Sequence, residues 1–555
     1  EFTTGGQTNF EIDGTLLRLT NPVYSTFIGN TGTLAANSVL VGDSVLLLGN
    51  GAEDVVAIGH RSMQDGTSAS GNTAIGASSL RRITTGDYNT AIGSYSLGSN
   101  TTGAFNIAIG SEVLFFNTTG THNTAIGLFS LLSNTSGTHN TALGVEALYS
   151  NTTGNNNIAI GREAQLSNLT GAYNVALGIQ ALYSNTIGEF NIALGTSSLY
   201  SNTSGRSNIS LGREALYSNT TGVYNFAAGR SALRSNTSGN YNIAIGLDAL
   251  NINTTGISNI AIGKAALYNG QSNSYNIAIG DSALYYNEYG INNVGIGYKT
   301  IYGNFYGSNN TAIGQEALSD NLYGDNNTAI GSQSLLVNRF GDHNTAVGYQ
   351  TLLANYNGFN NVAVGRQSLI SNTSGSSNVA IGNRSMNKNT TGQSNVAIGI
   401  FSAFENTTGM WNIAIGSRAS HENTTGQRNV SIGYETNYFY TSGSNNVSIG
   451  RSANFYNKAS NNIAIGYDAN TPLVNGSNQI RIGNDQISSA GVQIAWSVSS
   501  DLHWKDSVET LAYGLNLIKE LRPVNYLRKG AYHIKKEIGF IAQELEVALR
   551  KVGYH

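Results

Sequence analysis

The chain has 555 residues, a net charge of −3, and 67 glycines against three prolines and no cysteine. Its glycine content and 11% charged residues are not those of a set of globular enzyme domains, and its 40% apolar residues exclude a disordered chain. The balanced charge gives no basic footprint for nucleic acid or a membrane surface, and the missing cysteines exclude disulfides and thiolate metal sites.

The start of the chain differs from the rest. The chain begins at Glu1 without an initiator Met or an apolar signal region, which predicts a processed or partial chain. Residues 1–41 are predicted to be an irregular or β-rich cap or attachment segment. Apolar runs stay well short of the ~18 residues that a membrane span requires, so no span is predicted.

A 17-residue repeat dominates residues 42–483. The phrase Asn-x-Ala-Ile-Gly ends in a glycine, called here the marker glycine, that recurs every 17 residues from Gly76 to Gly450. Weaker copies extend back to Gly42 and forward to Gly483, and the spacing first slips to 16 residues after Gly450. A fixed period of this kind predicts a solenoid in which each repeat is one coil.

One repeat suggests the path of the chain. Residues 141–143 alternate apolar and small side chains, which predicts a short strand, and a second strand is predicted over residues 147–149. Residues 151–154, Asn-Thr-Thr-Gly, supply the turn. Seventeen residues are too few for a strand-helix-strand crossover. The predicted fold class is therefore all-β: a parallel β-roll or β-solenoid of 17-residue coils, stacked ~4.8 Å apart, assembled as a trimer and followed by a small α+β domain.

The residue four before the marker glycine is Asn in every regular repeat. Identical amides stacked at the spacing of the coils can hydrogen-bond in a ladder, so a structural role is predicted, with ligand binding as the alternative. Representative members are Asn72, Asn89, Asn106, Asn123, Asn140, Asn174, Asn259, Asn344 and Asn446.

The residue two before the marker glycine is nearly always Ala. A slender coil buries little apolar surface by itself, and a flat face of small side chains permits close approach of a second backbone. We therefore expect a homotrimer with this column near the neighbouring chains. Representative members of the expected trimer face are Ala91, Ala142, Ala244 and Ala414.

These repeats resemble the head repeats of trimeric autotransporter adhesins. The similarity rests on Asn-x-Ala-Ile-Gly followed by a second short strand, and it covers roughly residues 37–483. It implies left-handed parallel β-rolls assembled in trimers. The repeats of that family are typically shorter, so a longer loop is expected here.

Other side chains in the repeats have two interpretations. Tyrosines recur five residues after the marker glycine, where they could stack on sugars or form a structural aromatic ladder; the candidates are Tyr149, Tyr183, Tyr200 and Tyr217. The Asn-x-Thr/Ser sequons are glycosylation acceptors or simply turns. His122, His139 and His343 occur singly without acidic companions at metal spacing, so no metal site is expected.

The composition changes after the repeats. Residues 484–499 are predicted to be a β connector containing a strand pair over 487–498. The unit over 500–555 has more charged residues and fewer glycines. Its predicted elements are a helix over 506–521, strands over 524–527 and 538–541, and a helix over 542–552.

Three phrases of this unit resemble the C-terminal intramolecular chaperone and auto-processing domain of phage tail spikes and tail fibres. They are Ser-Asp-Leu-His-Trp-Lys at 500–505, Leu-Arg-Pro-Val-Asn-Tyr at 521–526 and Ile-Gly-Phe-Ile-Ala-Gln-Glu at 538–544. The resemblance implies a domain that templates trimerisation and then cleaves itself off. It implies Ser500 as nucleophile, Lys505 as base and Ser499–Ser500 as the cleaved bond. His503 stands where that family usually has Arg.

Three functions are compatible with these patterns. The favoured one is an extracellular structural and adhesive fibre of the tail-fibre or surface-adhesin type, on a virion or cell surface, whose C-terminal domain directs trimer folding and cleaves itself. A tail spike that binds or degrades polysaccharide would need paired carboxylates, but Asp and Glu occur irregularly. An ice-binding solenoid would need unbroken Thr ranks, but Thr90 shares its column with Ile107 and Phe226.

The expected partners follow from the favoured function. They are two further copies of the chain and an unknown cell-surface receptor or glycan. Nucleic acid, a membrane span, a cofactor and a substrate-directed activity are not expected.

Overall fold

The structure is a computed structural model that describes residues 2–4, 7–13, 16–20, 25–29, 35–46, 51–456, 458–489, 514–526 and 536–553. Near the N-terminus, four strands form an antiparallel meander. Their bounds are Phe2–Thr4, Gln7–Asp13, Leu16–Thr20 and Ser25–Gly29. A short parallel pair, Ala35–Ala36 and Ala52–Glu53, lies beside the first coils.

A parallel β-solenoid follows, which confirms the predicted all-β solenoid of 17-residue coils for the single chain. In the described residues, 27 strands of three residues each pair in parallel with the strand before and the strand after. The strands are Val39–Val41, Val56–Ile58, Thr73–Ile75, Thr90–Ile92, Ile107–Ile109, Thr124–Ile126, Thr141–Leu143, Ile158–Ile160, Val175–Leu177, Ile192–Leu194, Ile209–Leu211, Phe226–Ala228, Ile243–Ile245, Ile260–Ile262, Ile277–Ile279, Val294–Ile296, Thr311–Ile313, Thr328–Ile330, Thr345–Val347, Val362–Val364, Val379–Ile381, Val396–Ile398, Ile413–Ile415, Val430–Ile432, Val447–Ile449, Ile463–Ile465 and Ile480–Ile482.

The strands stack in strict register. Thr124, Ala125 and Ile126 pair with residues 141–143, a shift of 17 residues, and this shift becomes 16 between Val447 and Ile463. Twenty-six steps of ~4.8 Å give a stack of strands roughly 125 Å long. Equivalent positions of successive coils therefore form straight columns along the stack.

The predicted second strand is wrong. Residues 145–150 form turns in place of a strand. Glu146 and Leu148 are left-handed, with φ of 58° and 52°, so the backbone reverses direction at alternate residues. Their N–H groups still bond neighbouring coils: Glu146 donates to the carbonyl of Leu128 and Leu148 donates to that of Ala164, both at 2.9 Å. Each coil thus has one strand and a tightly turned opposite side.

The core of a coil is small. In the coil of Gly144, the side chains of Ala142, Ala147 and Leu148 have no exposed surface, and the same three columns are buried along most of the solenoid. The marker glycine itself has φ of 142°, and a Cβ there would lie 2.5 Å from the carbonyl oxygen of Gly161. Only glycine fits this approach between coils.

The expected trimer face is corrected by this packing. Ala91, Ala142 and Ala244 are 0% exposed in the single chain and Ala414 is 1% exposed. Because the middle residue of each strand points into the coil, a column of small side chains is what the narrow interior admits. The alanine column therefore fills the interior and offers no surface to a second chain.

The interior becomes polar in the last coils. Ser420 and Asn437 replace the buried Leu found elsewhere, and Ser431 and Ser448 replace the inward Ala. Asn437 donates to Ser431 at 2.6 Å, and Ser448 donates to Asn437 at 2.9 Å. These bonds satisfy groups that would otherwise be buried unpaired.

The C-terminal elements agree with most of the sequence prediction. They are helix α1 (Gly514–Glu520), strands Val524–Tyr526 and Glu537–Gly539, which pair antiparallel, and helix α2 (Ala542–Lys551). Residues 506–513 of the predicted first helix lie outside the described residues. The strand pair predicted over 487–498 lies mostly outside them too, and residues 487–489 are not in a strand.

Candidate assembly surface and C-terminal domain

The outward side of the solenoid sheet is a continuous apolar stripe. In the strand Ile243–Ile245, the two Ile side chains are 36% and 37% exposed, on either side of the buried Ala244. Ile, Val, Leu or Thr takes both outward positions in nearly every strand. The stripe runs the length of the stack, and an exposed apolar patch larger than a few hundred Å² marks an interaction site.

The asparagine column four before the marker glycine lies inside the coil. Asn89 donates through Nδ2 to Oδ1 of Asn72 at 3.1 Å and to the carbonyl of Gly103 at 2.9 Å. The same Oδ1 accepts the backbone N–H of Asn89 at 2.8 Å. The corresponding amides are 0% exposed at Asn72, Asn89, Asn106, Asn123, Asn140, Asn174, Asn259, Asn344 and Asn446. Their polar groups are used within the protein, which favours the structural role.

A second asparagine column was missed by sequence analysis, which treated it as part of the turn. Asn151 donates to Oδ1 of Asn134 at 2.8 Å and to the carbonyl of Gly154 at 3.1 Å. Asn151 is 0% exposed although it begins the sequon Asn-Thr-Thr. A glycan on Nδ2 would displace a hydrogen used in the ladder and would need space that the coil lacks. The signal that could have identified this column is its recurrence at the repeat period.

The candidate tyrosines are only partly brought together. Tyr200 stacks between Tyr183 and Tyr217, with ring centroids 4.9 and 5.0 Å apart and ring planes within 7°. Tyr149 stands outside this stack because Leu166 takes the position in the intervening coil. Burial and the neighbouring Tyr183 and Tyr217 raise the pKa of Tyr200. Stacked rings cover each other's faces, so a ligand could reach the inner ring mainly at its edge.

The described residues of the C-terminal domain are mostly exposed. Within its described residues, Ala548 is the one buried side chain. Leu515 and Ile518 of α1 are 66% and 65% exposed, and Ile538 is 80% exposed. These apolar side chains are therefore exposed among the described residues of the domain.

Ion pairs join the elements of this domain. Nε of Arg522 lies 3.0 Å from Oε2 of Glu544, and a second pair of atoms of the same two side chains is also in contact. Lys551 of α2 lies 3.0 Å from Glu520 of α1. The hydrogen bond from Arg522 lowers the pKa of Glu544. The pairs flank a cleft between the two helices.

Ser499, Ser500, His503 and Lys505 lie outside the described residues. Their roles in self-cleavage therefore remain predictions.

The family comparison concerns this domain. Residues 500–554 match the family model described as the chaperone of endosialidase. The match covers about a tenth of the chain and begins at Ser500, the predicted nucleophile. The other two comparisons, with curated proteins and with solved structures, gave no match. The resemblance of the repeats to trimeric autotransporter adhesins stays a prediction.

Two features of the described residues bear on partners. Neither of the helices in the described part of the chain is long and apolar enough to cross a membrane. The same residues contain no group of three or more His, Asp or Glu side chains placed to hold a metal ion.

Proposed function

We propose that this chain is the shaft of a trimeric fibre of the tail-spike or tail-fibre type, exposed on a virion or cell surface, and that its chaperone of endosialidase domain directs trimer folding. The match of residues 500–554 to that family carries the proposal. The apolar stripe supports it. A long apolar surface exposed to water favours association, because contact with another chain would bury it.

Three copies are proposed to meet through the apolar stripe, in place of the alanine column. Identical rods have identical coil spacing, so outward side chains of one copy meet those of the next at the same interval along the whole stack. An unrelated partner would not keep that match over roughly 26 steps of ~4.8 Å. Closure by a three-fold axis would cover the stripe of every copy.

The chaperone domain is proposed to act on the path to this trimer. Parallel pairing of coils is slow to start, because chain entropy is lost before contacts form. The exposed Leu515, Ile518 and Ile538 give the three C-terminal domains apolar surface with which to associate first. This association would align three chains at the C-terminal end, where the interior of the last coils is polar and least able to fold alone.

Refolding of the full chain and of residues 1–499, compared by analytical ultracentrifugation, tests this function. The full chain is expected to give a trimer in good yield, and the shortened chain much less trimer but of similar final stability. Equal yields from both chains would refute the chaperone role, and a stable monomer of the full chain would refute the trimer.

Self-cleavage is a further part of the proposal. Lys505, once deprotonated, would take the proton of the Ser500 hydroxyl, and the hydroxyl oxygen would attack the carbonyl carbon of Ser499. Breaking that peptide bond would leave an ester, which water would hydrolyse to free a chain ending at Ser499. An amine acts as a base at neutral pH only if its pKa is lowered by burial or a nearby cation.

A further inference from the structure

One corner of the solenoid departs from the repeat. Eight and nine residues after the marker glycine, most coils carry Thr-Thr or Thr-Ser, as at 118–119 and 135–136. In five consecutive coils these positions are instead Glu-Tyr, Phe-Tyr, Leu-Tyr, Arg-Phe and Tyr-Asn, at 288–289, 305–306, 322–323, 339–340 and 356–357. The aromatic corner is defined as these five pairs together with Tyr286 and Tyr302.

These differences between coils remove a side-chain hydrogen bond that the ordinary coils have. The first Thr of each ordinary pair donates its hydroxyl to a backbone carbonyl of the next coil, for example Thr118 to Thr135 at 3.0 Å. This series reaches Thr254 and resumes at Thr373. The six intervening coils have Gln, Glu, Phe, Leu, Arg and Tyr in its place. The aromatic corner therefore lacks this threonine hydrogen bond between coils.

The rings of the corner are exposed and regularly spaced. Tyr289, Tyr306, Tyr323 and Phe340 are 53%, 46%, 47% and 44% exposed. Successive ring centroids are 4.9, 5.2 and 5.3 Å apart, with planes within 18°. Most of each ring face is covered by the next ring. The exposed part is a row of ring edges, and the three tyrosines of the row bear phenol hydroxyls on successive coils.

Tyr286 differs from these rings. It meets Tyr285 and Tyr302 edge-to-face, at 4.6 and 5.3 Å, while those two rings stack on each other at 5.3 Å. No ring in the described part of the chain stacks face to face on Tyr286. The Tyr286 side chain is 45% exposed.

A glycine leaves space beside this ring. Gly303 occupies the position of Tyr286 in the next coil, and a Cβ there would meet a single atom within 4 Å, the carbonyl oxygen of Ser319 at 3.4 Å. The space beside Gly303 is therefore open.

A charged pair stands on the far side of this space. Asp320 occupies the same position one coil beyond Gly303, and its Oδ2 lies 2.8 Å from Nε of Arg339. The guanidinium carbon of Arg339 is 6.0 Å from the centre of the Tyr356 ring. The corner thus combines an aromatic face, a row of hydroxyls, a carboxylate and a guanidinium.

We propose that the aromatic corner binds a polysaccharide lying along the rod axis; this inference rests on the proposed fibre function and gives it a ligand class. A sugar ring has an apolar C–H face, which suits the electron-rich face of Tyr286, and a rim of hydroxyls, which suits the phenols and the charged pair. The 4.9 to 5.3 Å repeat of the rings is close to the length of one sugar unit in an extended polysaccharide.

Assembly leaves this surface free. The corner lies five to nine residues after the marker glycine, on the turned side of the coil, whereas the apolar stripe lies on the strand. A trimer closed through the stripe would therefore present three aromatic corners to solvent.

Three full-length variants test the inference. Tyr289→Thr, Tyr306→Thr and Tyr323→Thr together give the corner the residue that many other coils carry there. Tyr286→Ser likewise introduces a residue found at that position in other coils and leaves the ring row intact. The control is Tyr224→Ser with Tyr241→Ser, an exposed stacked pair 5.3 Å apart in a column where other coils carry Ser.

The probe is an immobilised array of neutral, amino and acidic polysaccharides. The wild-type trimer is expected to bind at least one polymer, and both corner variants to lose about tenfold or more in affinity, as expected when central aromatic contacts are removed. The control should bind like wild type. Longer oligosaccharides should compete better than the single sugar.

Several outcomes would overturn the inference. They are a wild-type trimer that binds no polymer, unchanged binding by Tyr286→Ser, or a corner variant that shifts from trimer to monomer in light scattering. In the last case the corner is a contact between copies. If the triple variant unfolds, the stacked rings are structural, and polysaccharide binding by Tyr286→Ser then decides the inference. A normal trimer without binding refutes this inference alone, whereas a chain that never forms a trimer refutes the proposed function.

Discussion

Nδ2 of Asn151 donates a hydrogen bond to Oδ1 of Asn134 at 2.8 Å, across two successive coils. Its other hydrogen bonds the carbonyl of Gly154, three residues along the same turn, at 3.1 Å. One buried amide thus fixes both the spacing of the coils and the shape of a turn. The same pair of bonds recurs in most coils, so it is a main cohesive element of the rod.

Asn151→Asp should destabilise the solenoid, because a carboxylate keeps the shape but has no hydrogens to donate, and a buried acceptor is left facing another acceptor. The expected loss is ~1–3 kcal/mol in the free energy of unfolding, or more if the charge persists. Denaturant titration measures it. Asn156→Asp, at an exposed position of the same coil, is the control. Equal effects of the two substitutions would contradict the ladder.

Ala244→Leu should destabilise the coil itself, because the side chain points into a filled interior. Overpacking of this kind typically costs ~1–3 kcal/mol. Ile243→Leu, on the outward side of the same strand, should have a much smaller effect on the unfolding midpoint. If Ala244→Leu altered assembly without altering coil stability, the alanine column would belong to an interface after all.

Ile245→Lys together with Ile262→Lys should weaken the trimer while leaving the coils folded. Both residues are at outward positions of successive strands, so their replacement puts charge into the proposed contact. Sedimentation velocity should show dissociation, and circular dichroism should be unchanged. Ile187→Lys, at a turn and 56% exposed, is the matched control and should remain trimeric. An unaltered trimer in the double variant would exclude the stripe as the contact.

His421 should make the last coils sensitive to acid. Its ring stacks between Phe404 and Tyr438 at 5.2 and 4.9 Å, and Nδ1 is buried without a hydrogen-bond partner among the described residues. Burial lowers the pKa of His421 below its ordinary value of 6.5. The carboxylates of Glu405 and Glu435 oppose this shift. The positive charges of Arg418 and Lys388 add to it.

The direction of the pH effect follows from linkage. His421 binds a proton more readily in the unfolded chain than in the folded one. Its contribution to the free energy of unfolding is therefore complete above pH 6.5, the ordinary pKa of histidine, and is lost as the pH drops through the folded-state pKa. Thermal melting between neutral pH and about pH 5 should show this loss. His421→Tyr, which continues the aromatic stack, should reduce it. The same pH dependence in that variant would assign the effect to other groups.

Self-cleavage should convert the full chain into a fragment ending at Ser499 and a small piece beginning at Ser500. Ser500→Ala should abolish it by removing the nucleophile, and Lys505→Arg should abolish it because a guanidinium stays protonated. His503→Arg should leave the rate unchanged or raise it. Intact-mass measurement of the freshly folded protein tests these outcomes for the wild type and the three variants. A wild-type chain that keeps residues 500–555 indefinitely would show a domain that folds the fibre without cutting it.

The sequence by itself determined the solenoid. The recurrence of Gly76, Gly93 and their equivalents at 17 residues requires equivalent structure at equivalent positions, and the invariant Asn four places earlier identifies a stacked column. The C-terminal helix and strand pair also followed from local patterns, because residues 542–551 have helical periodicity and residues 524–526 lie beyond a proline.

Only the tertiary structure decided which side of each strand faces inward. A strand of three residues, such as Thr141–Leu143, gives one small side chain and two larger ones, and a column of alanine fits equally a close contact between chains or a narrow interior. The prediction of a second strand was wrong for a similar reason. Glu146 and Leu148 have no local sequence signal for a left-handed backbone, and contacts with neighbouring coils hold them in that conformation. The stacking of coils decides both the inward side of the strand and the turned backbone opposite it. It sets the width of the interior and the position of the acceptor for each backbone N–H group.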